Sequence, residues 1–290
     1  MKGKLVILDA DGLMFHAGWA YRFQLNRLGE LGAKKKLDQI IEGHLNRLGA
    51  THYLGFFGKD GVQNFRHAWA TLKPYKGNRS GEDWMKYFKP ILKKHFEDKW
   101  GFYPMGDLEA DDAVIIAHHQ YKEDWDIIHF SEDKDQRQLG SFKRYNPNKH
   151  NNPKKKVEIM DHMEGRKFFW AQMLHGDSTD NIEGIPGIGE GANKHPKVTP
   201  AMKARGEKSR NKTVMALWDL DEPTEEEMFN HVRQAYIDKY ADEYLYYMVE
   251  NYLLLKMVDK PSFDYPKDIK LREWKSAKID KLATKTLIKL

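Results

Sequence analysis

An α/β architecture, with a mainly parallel central sheet and flanking helices, is what this sequence predicts for its first half, followed by a helical second half. Two observations carry it. Short apolar runs that end near acids, such as Leu5–Leu8 before Asp9, alternate with segments whose apolar residues recur at helical spacing. After about residue 145 the strand signals stop and helical periodicity takes over.

The elements follow in order. Lys4 to Asp9 reads as a buried strand, since Leu5, Val6, Ile7 and Leu8 are consecutive. Lys34 to Gly49 places Leu37, Ile40, Ile41, Leu45 and Leu48 on one helical face, with Gly49 as its stop. His52 to Phe57 is a second strand. Glu82 to Trp100 carries Trp84, Phe88, Leu92 and Phe96 four apart, a stripe that favours core over a base-stacking surface. Tyr103 opens an extended stretch, Asp111 to Tyr121 is helical, and Asp126 to Phe130 is a strand. Asn146 to Lys156 is an exposed basic loop. Phe168–Leu174, Val214–Leu220, Met228–Tyr240 and Tyr244–Val258 are helical, interrupted by the glycine-rich Gly184–Gly191. A second basic loop spans Asn193 to Lys212. The expected division is a core over 1–159 and a helical subdomain over 160–290.

Composition narrows the chemistry. The 290 residues contain no cysteine, which excludes disulfides, zinc–thiolate sites and a thiol nucleophile. It fits a reducing compartment. Asp9 and Asp11 break the first apolar run, so no signal peptide is expected, and no stretch approaches a membrane span. The 48 Lys and Arg against 43 Asp and Glu leave a net charge of only +5, so charge placement matters more than its total.

The acids recur at expected strand and helix ends: Asp9 and Asp11, Asp60, Glu109 with Asp111 and Asp112, Asp133 and Asp135, Asp177 and Asp180. Loops beyond the carboxyl ends of adjacent parallel strands converge on one crevice. Acids crowded there repel one another unless cations neutralise them, and hard divalent ions with oxygen ligands suit that task. Singly, each acid is explained as a helix cap or a turn. Together they point to one shared metal site. Gly184-Ile185-Pro186-Gly187-Ile188-Gly189 between helical stretches suits a helix-hairpin-helix whose backbone N–H groups grip phosphate, against the plainer reading of a tight connection. Tyr75-Lys76-Gly77-Asn78-Arg79 joins a ring to two cations, which suits a nucleic-acid strand as well as a solvated turn. His118 and His119 are adjacent on a helix and face apart.

In this order, Asp9, Asp60, Tyr75–Arg79, Glu109–Asp112, Ser131–Asp135, Gly176–Asn181 and Gly184–Gly189 resemble the structure-specific 5′-nuclease family, the flap endonucleases and 5′→3′ exonucleases, most of all its short bacteriophage members. The resemblance spans about Leu5 to Gly191. It implies a PIN-like core, a short helical arch near 76–100 and a helix-three-turn-helix clamp. It also implies two divalent ions, Mg²⁺ or Mn²⁺, on Asp9, Asp60, Glu109, Asp111 and Asp112 for one and Asp133, Asp135, Asp177 and Asp180 for the other. Lys76 and Arg79 would contact the scissile phosphate. Tyr75, Gly184, Gly187 and Gly189 would join them in binding DNA, with a monovalent cation at the Gly184–Gly189 hairpin. The implied partner is DNA with a 5′ end, flap or single-strand/duplex junction, bound by a monomeric phage protein in the host cytoplasm. Its role would lie in DNA replication or degradation, with removal of RNA from RNA–DNA hybrids as an extension. Asp60 lies one residue off the spacing to Phe65-Arg66, and Asp11 has no counterpart.

Two other readings stand beside it. Ile7–Gly12 and Gly176–Asp180 resemble the motifs of haloacid-dehalogenase-type phosphatases, with Asp9 as nucleophile and Lys154 upstream, but Leu13 replaces the expected Thr. A binding module without catalysis would use the glycine hairpin but has no use for concentrated acids, which repel phosphate.

Overall fold

The computed structural model describes residues 2–147, 157–188, 211–262 and 265–275. Its sheet runs in the order β3-β2-β1-β4-β5-β6, with β7 on a free stretch of β2. The strands are β1 (Lys4–Asp9), β2 (His52–Gly58), β3 (Tyr103–Met105), β4 (Asp126–Phe130), β5 (Phe142–Tyr145), β6 (Glu158–Met160) and β7 (Arg272–Glu273). The first five are parallel in pairing, while β6 and β7 run antiparallel to their neighbours. The mixed α/β core with a largely parallel sheet is thus as expected.

β1 is central because both its faces are covered. Val6 and Leu8 pack under helices α1 (Asp11–Trp19), α2 (Arg27–Leu48) and, after the short α3 (Phe65–Trp69), α4 (Asp83–His95), while Leu5 and Ile7 face α5 (Ala110–Tyr121). This two-sided burial is why the run is apolar without alternation. α2 starts seven residues before the expected Lys34. Asn26 caps it, accepting from Leu28 N at 3.0 Å and Gly29 N at 3.1 Å, and Gly49 at φ +65° ends it in the left-handed region. The Trp84/Phe88/Leu92/Phe96 stripe is core. The segment expected to arch over the site therefore packs on α1 and α2 and continues into a π-helical turn, Phe96–Trp100.

A second core gathers around α6 (His162–His175), which is apolar on nearly all sides because α7 (Lys212–Asp219), α8 (Glu225–Tyr240) and α9 (Tyr244–Leu255) surround it. Thr224 and Glu227 form a reciprocal capping box at the start of α8. Beyond α9 the chain returns to the sheet: Tyr265, Ile269 and Leu271 join the α5 face, and β7 pairs with His52 and Tyr53. The reading of the chain after Met160 as helical almost throughout holds over α6 to α9 and gives way at β7. The two residues of β7 are exposed and carry no apolar pattern. Much of the second basic loop lies outside the described residues. No helix among those described is long and apolar enough to cross a membrane.

His129 on β4 is fully buried and bridges His118 Nδ1 (2.9 Å) and Gln136 Oε1 (3.1 Å). Burial, aided by the His119 charge, pushes His118 down from 6.5 to about 4. The neutral ring therefore contributes stability that is full above pH 6.5 and lost as pH falls through 4. Urea unfolding of the wild type and His118→Gln across that range should show the wild type losing about 3 kcal/mol more. Parallel pH profiles would remove His118 from this role.

Candidate metal centre

The carboxyl ends of β1, β2, β3 and β4 open on the same side of the sheet, with Leu8 opposite Phe130 and Asp9 opposite Phe56. Asp9 therefore sits directly at the crevice. Its Oδ2 accepts from Ser131 Oγ at 3.2 Å, and the same hydroxyl accepts from Asp133 N at 3.0 Å. The Asx turn from Asp133 Oδ1 to Asp135 N (2.7 Å) places Asp135 next. Burial, then the charges of Asp11 and Asp133, push Asp9 up to about 8; burial and Asp133 push Asp135 up to about 7.

Glu109, Asp111 and Asp112 present oxygens within 4.8 Å of one another at the start of α5. Their environments differ sharply. Asp111 is raised well above the usual carboxylate range by burial and by the neighbouring Glu109 and Asp112 charges. Asp112 is 0% exposed and receives four donors: Arg66 Nη1 at 2.6 Å, Arg66 Nη2 at 2.8 Å, Val258 N at 2.9 Å and Glu109 N at 3.2 Å. Its acceptor capacity is filled by protein, so it holds Arg66 rather than facing the crevice. Against the desolvation of burial, Lys76 and Arg66 hold Glu109 below its usual range.

Tyr75 OH donates to Glu109 Oε2 (2.8 Å) and Asp180 Oδ2 (2.9 Å), tying the second half of the chain to the crevice. Lys76 pairs with Glu109 and Arg79 with Asp180 Oδ1 at 2.6 Å. Lys76 takes a left-handed φ of +55°, an uncommon conformation for a non-glycine residue, while its N–H donates to Asp180 O at 2.9 Å. Asp177 is 1% exposed. Its Oδ1 accepts from Thr179 N at 2.9 Å, and its Oδ2 meets Lys134 and, at 3.3 Å, Gln172 Nε2.

Asp60 is the site residue that the fold keeps apart. Its side chain is 46% exposed and pairs with Lys93 (2.6 Å) and Lys89 (3.3 Å) of α4. Asp11 instead takes the end of β2, its Oδ1 accepting from Gly58 N at 3.1 Å. Gly184, at φ +66°, is buried so closely against Gly176 that a Cβ would lie 2.3 Å from Gly176 N; Gly187, at φ +91°, has open space. Gly189 lies outside the described residues. Arg66, Ser131, Lys134 and Gln172 join the site although the sequence assigns them no role there; Arg66 and the Ser131–Asp135 stretch stand within or beside the matching motifs, and Gln172 carries no signal at all.

The donor set is entirely carboxylate oxygen. Among the described residues, no cation forms a salt bridge to Asp9 or Asp111. Such half-buried, crowded acids, with only the Arg66 charge near Asp111 to offset them, fit a hard divalent ion.

No family model matches the chain. Over 208 residues it is 30% identical to DNA polymerase I of Bacillus subtilis (strain 168), a match covering 64% of this chain and 22% of that protein. The chain thus corresponds to about a fifth of that relative's length. The T5 D15 protein, co-crystallized with metal ions, superposes with a TM-score of 0.52 at 18% identity, covering 87% of this chain and 100% of that one. A T5 5′-exonuclease with bound zinc superposes at 0.49, with 18% identity and the same coverage. The chain has the fold of the structure-specific 5′-nucleases, the group that its motif order resembles.

Proposed function

We propose that the protein hydrolyses phosphodiester bonds of DNA from or near a 5′ end, as an exonuclease or flap endonuclease, with two divalent ions held in the crevice. The observation that carries this reading is the crowding of Asp9, Asp111, Asp133 and Asp135 at the carboxyl ends of parallel strands, with no salt bridge to Asp9 or Asp111 among the described residues. The metal ions in the T5 D15 crystals and the DNA polymerase relative support it. The T5 likeness also supports a role in phage DNA replication or degradation.

Asp9, Glu109 and Asp111 would hold one ion, and Asp133, Asp135, Asp177 and Asp180 the other, with Mg²⁺ or Mn²⁺ as the fitting occupant. When bound, the ions supply a hydroxide from water and stabilise the charge that develops on phosphorus and the leaving 3′-oxygen. The chain's own residues do the rest. Asp112 fixes Arg66, and Arg66 with Tyr75 fixes the Glu109 carboxylate. Lys76 and Arg79, now paired with Glu109 and Asp180, turn their charge to the incoming phosphate and position it. These contacts address the backbone, so an RNA strand in a hybrid is a further substrate of the same site. The glycine turn at Gly184 and Gly187, a monovalent cation beside it, and a monomeric state complete the proposal.

The test is a 5′-labelled flap duplex and a blunt duplex incubated with Mg²⁺ or EDTA, followed by sizing of the products. Short labelled products in Mg²⁺ and none in EDTA are expected. Intact DNA in both, together with a phosphoryl group trapped on Asp9, would give the site to a phosphatase instead.

A further inference from the structure

Lys134 stands between two of the acids assigned to the second ion. Its Nζ donates to Asp135 Oδ1 at 3.0 Å and closely to Asp177 Oδ2. Both oxygens are also reached by Gln172 Nε2, at 2.7 and 3.3 Å, so the amide and the ammonium close the space between the carboxylates. Asp177 is almost wholly buried, and the Asp135 side chain is 14% exposed. The ammonium is partly exposed, at 30% of its side chain, and so has solvent to swing into. Gln172, by contrast, is fully buried on α6 and cannot leave without moving that helix.

We propose that Lys134 is a built-in counter-ion that occupies the cation position between Asp135 and Asp177 and swings outward when a divalent ion is taken up. This rests on the nuclease reading of the crevice. The physical reason is charge. Two sheltered carboxylates that meet the same ammonium need a positive partner to remain ionised, and Lys134 provides it in the ion-free protein. A divalent cation and an ammonium cannot share the same two oxygens, so the lysine competes with the ion for them. Lys134 thereby keeps the empty crevice folded and sets how much metal is needed to fill it. Lys76, bonded to Glu109 and 3.9 Å from Asp180, holds the neighbouring acids in a comparable way, but its place beside the phosphate path gives it a second task.

Two measurements on the full chain test this. In Mn²⁺ titrations at pH 8.5 followed by electron paramagnetic resonance, Lys134→Met should bind its weaker ion roughly tenfold or more tightly than the wild type. Its melting temperature in EDTA should fall. In the wild type, reductive methylation read by mass spectrometry should spare Lys134 in EDTA and modify it at saturating Mn²⁺. Unchanged or weaker Mn²⁺ binding by the variant, or Lys134 labelling that ignores the ion, would overturn the proposal. A wild type that binds no Mn²⁺ would overturn the nuclease reading itself, which separates the two failures. The labelling needs no variant, so it decides the matter even if Lys134→Met does not fold.

Discussion

Replacing Arg66 with Ala is expected to destabilise the fold by about 3–5 kcal/mol, the cost of breaking a buried ion pair from one side. The guanidinium is 1% exposed and is the hub of the molecule. It forks onto both oxygens of Asp112 at 2.6 and 2.8 Å, touches Glu109 at 3.2 Å, and donates to Leu254 O (3.0 Å) and Lys256 O (3.1 Å) at the C-terminal end of α9. Truncation leaves Asp112 charged, buried and short of its main partner, and frees two carbonyls that anchor the helical half. Urea unfolding in EDTA measures the loss apart from any metal. Arg66→Lys should recover only part of it, because an ammonium cannot reproduce the planar fork. An Ala variant within 1 kcal/mol of wild type would show that the pair contributes little.

The second large effect is on turnover. Asp133→Asn should lower DNA cleavage by roughly 10²- to 10⁴-fold, the scale of several kcal/mol of metal-borne transition-state stabilisation. The substitution is mild in structure. An Asn oxygen still accepts from Asp135 N, so the turn that aims Asp135 survives. What disappears is the charge shared with Asp9, Asp111 and Asp135. DNA affinity in a chelator should change little, and steady-state cleavage with a binding assay in EDTA checks both parts. Full activity in this variant would remove Asp133 from the ligands.

The sheet was legible because its inner strands are buried on both faces. Leu5–Leu8 is an unbroken apolar run and Ile127–Phe130 is interrupted only by His129, and runs this short favour a strand over a helix. What stayed hidden has physical causes. α1 carries Leu13, Met14 and Ala17 inward but also Phe15 and Trp19 outward, so its pattern lacks a polar face. The first turn of α2 exposes Leu28 and Leu31, and only the Asn26 cap marks its start. β5 and β6 are short, with residues of mixed character.

The crevice was legible as a set rather than residue by residue. Strand ends bring Asp9, Asp133 and Asp135 to one mouth, because parallel strands share a polarity. Asp60 and Asp112 show the limit. Asp60 pairs with the lysines of α4, and a buried arginine six residues further along claims Asp112, neither of which spacing reveals. Lys134 and Gln172 lie 38 residues apart in sequence and meet only at Asp135 and Asp177.

Counting bound ions is the most direct measurement. Mn²⁺ binding at pH 8.5, where protons compete least for the raised carboxyls, should saturate at about two ions per wild-type chain and lose at least one in Asp111→Asn. A wild-type chain that binds none, or one that cuts DNA in EDTA as well as in Mg²⁺, would contradict a metal-filled crevice.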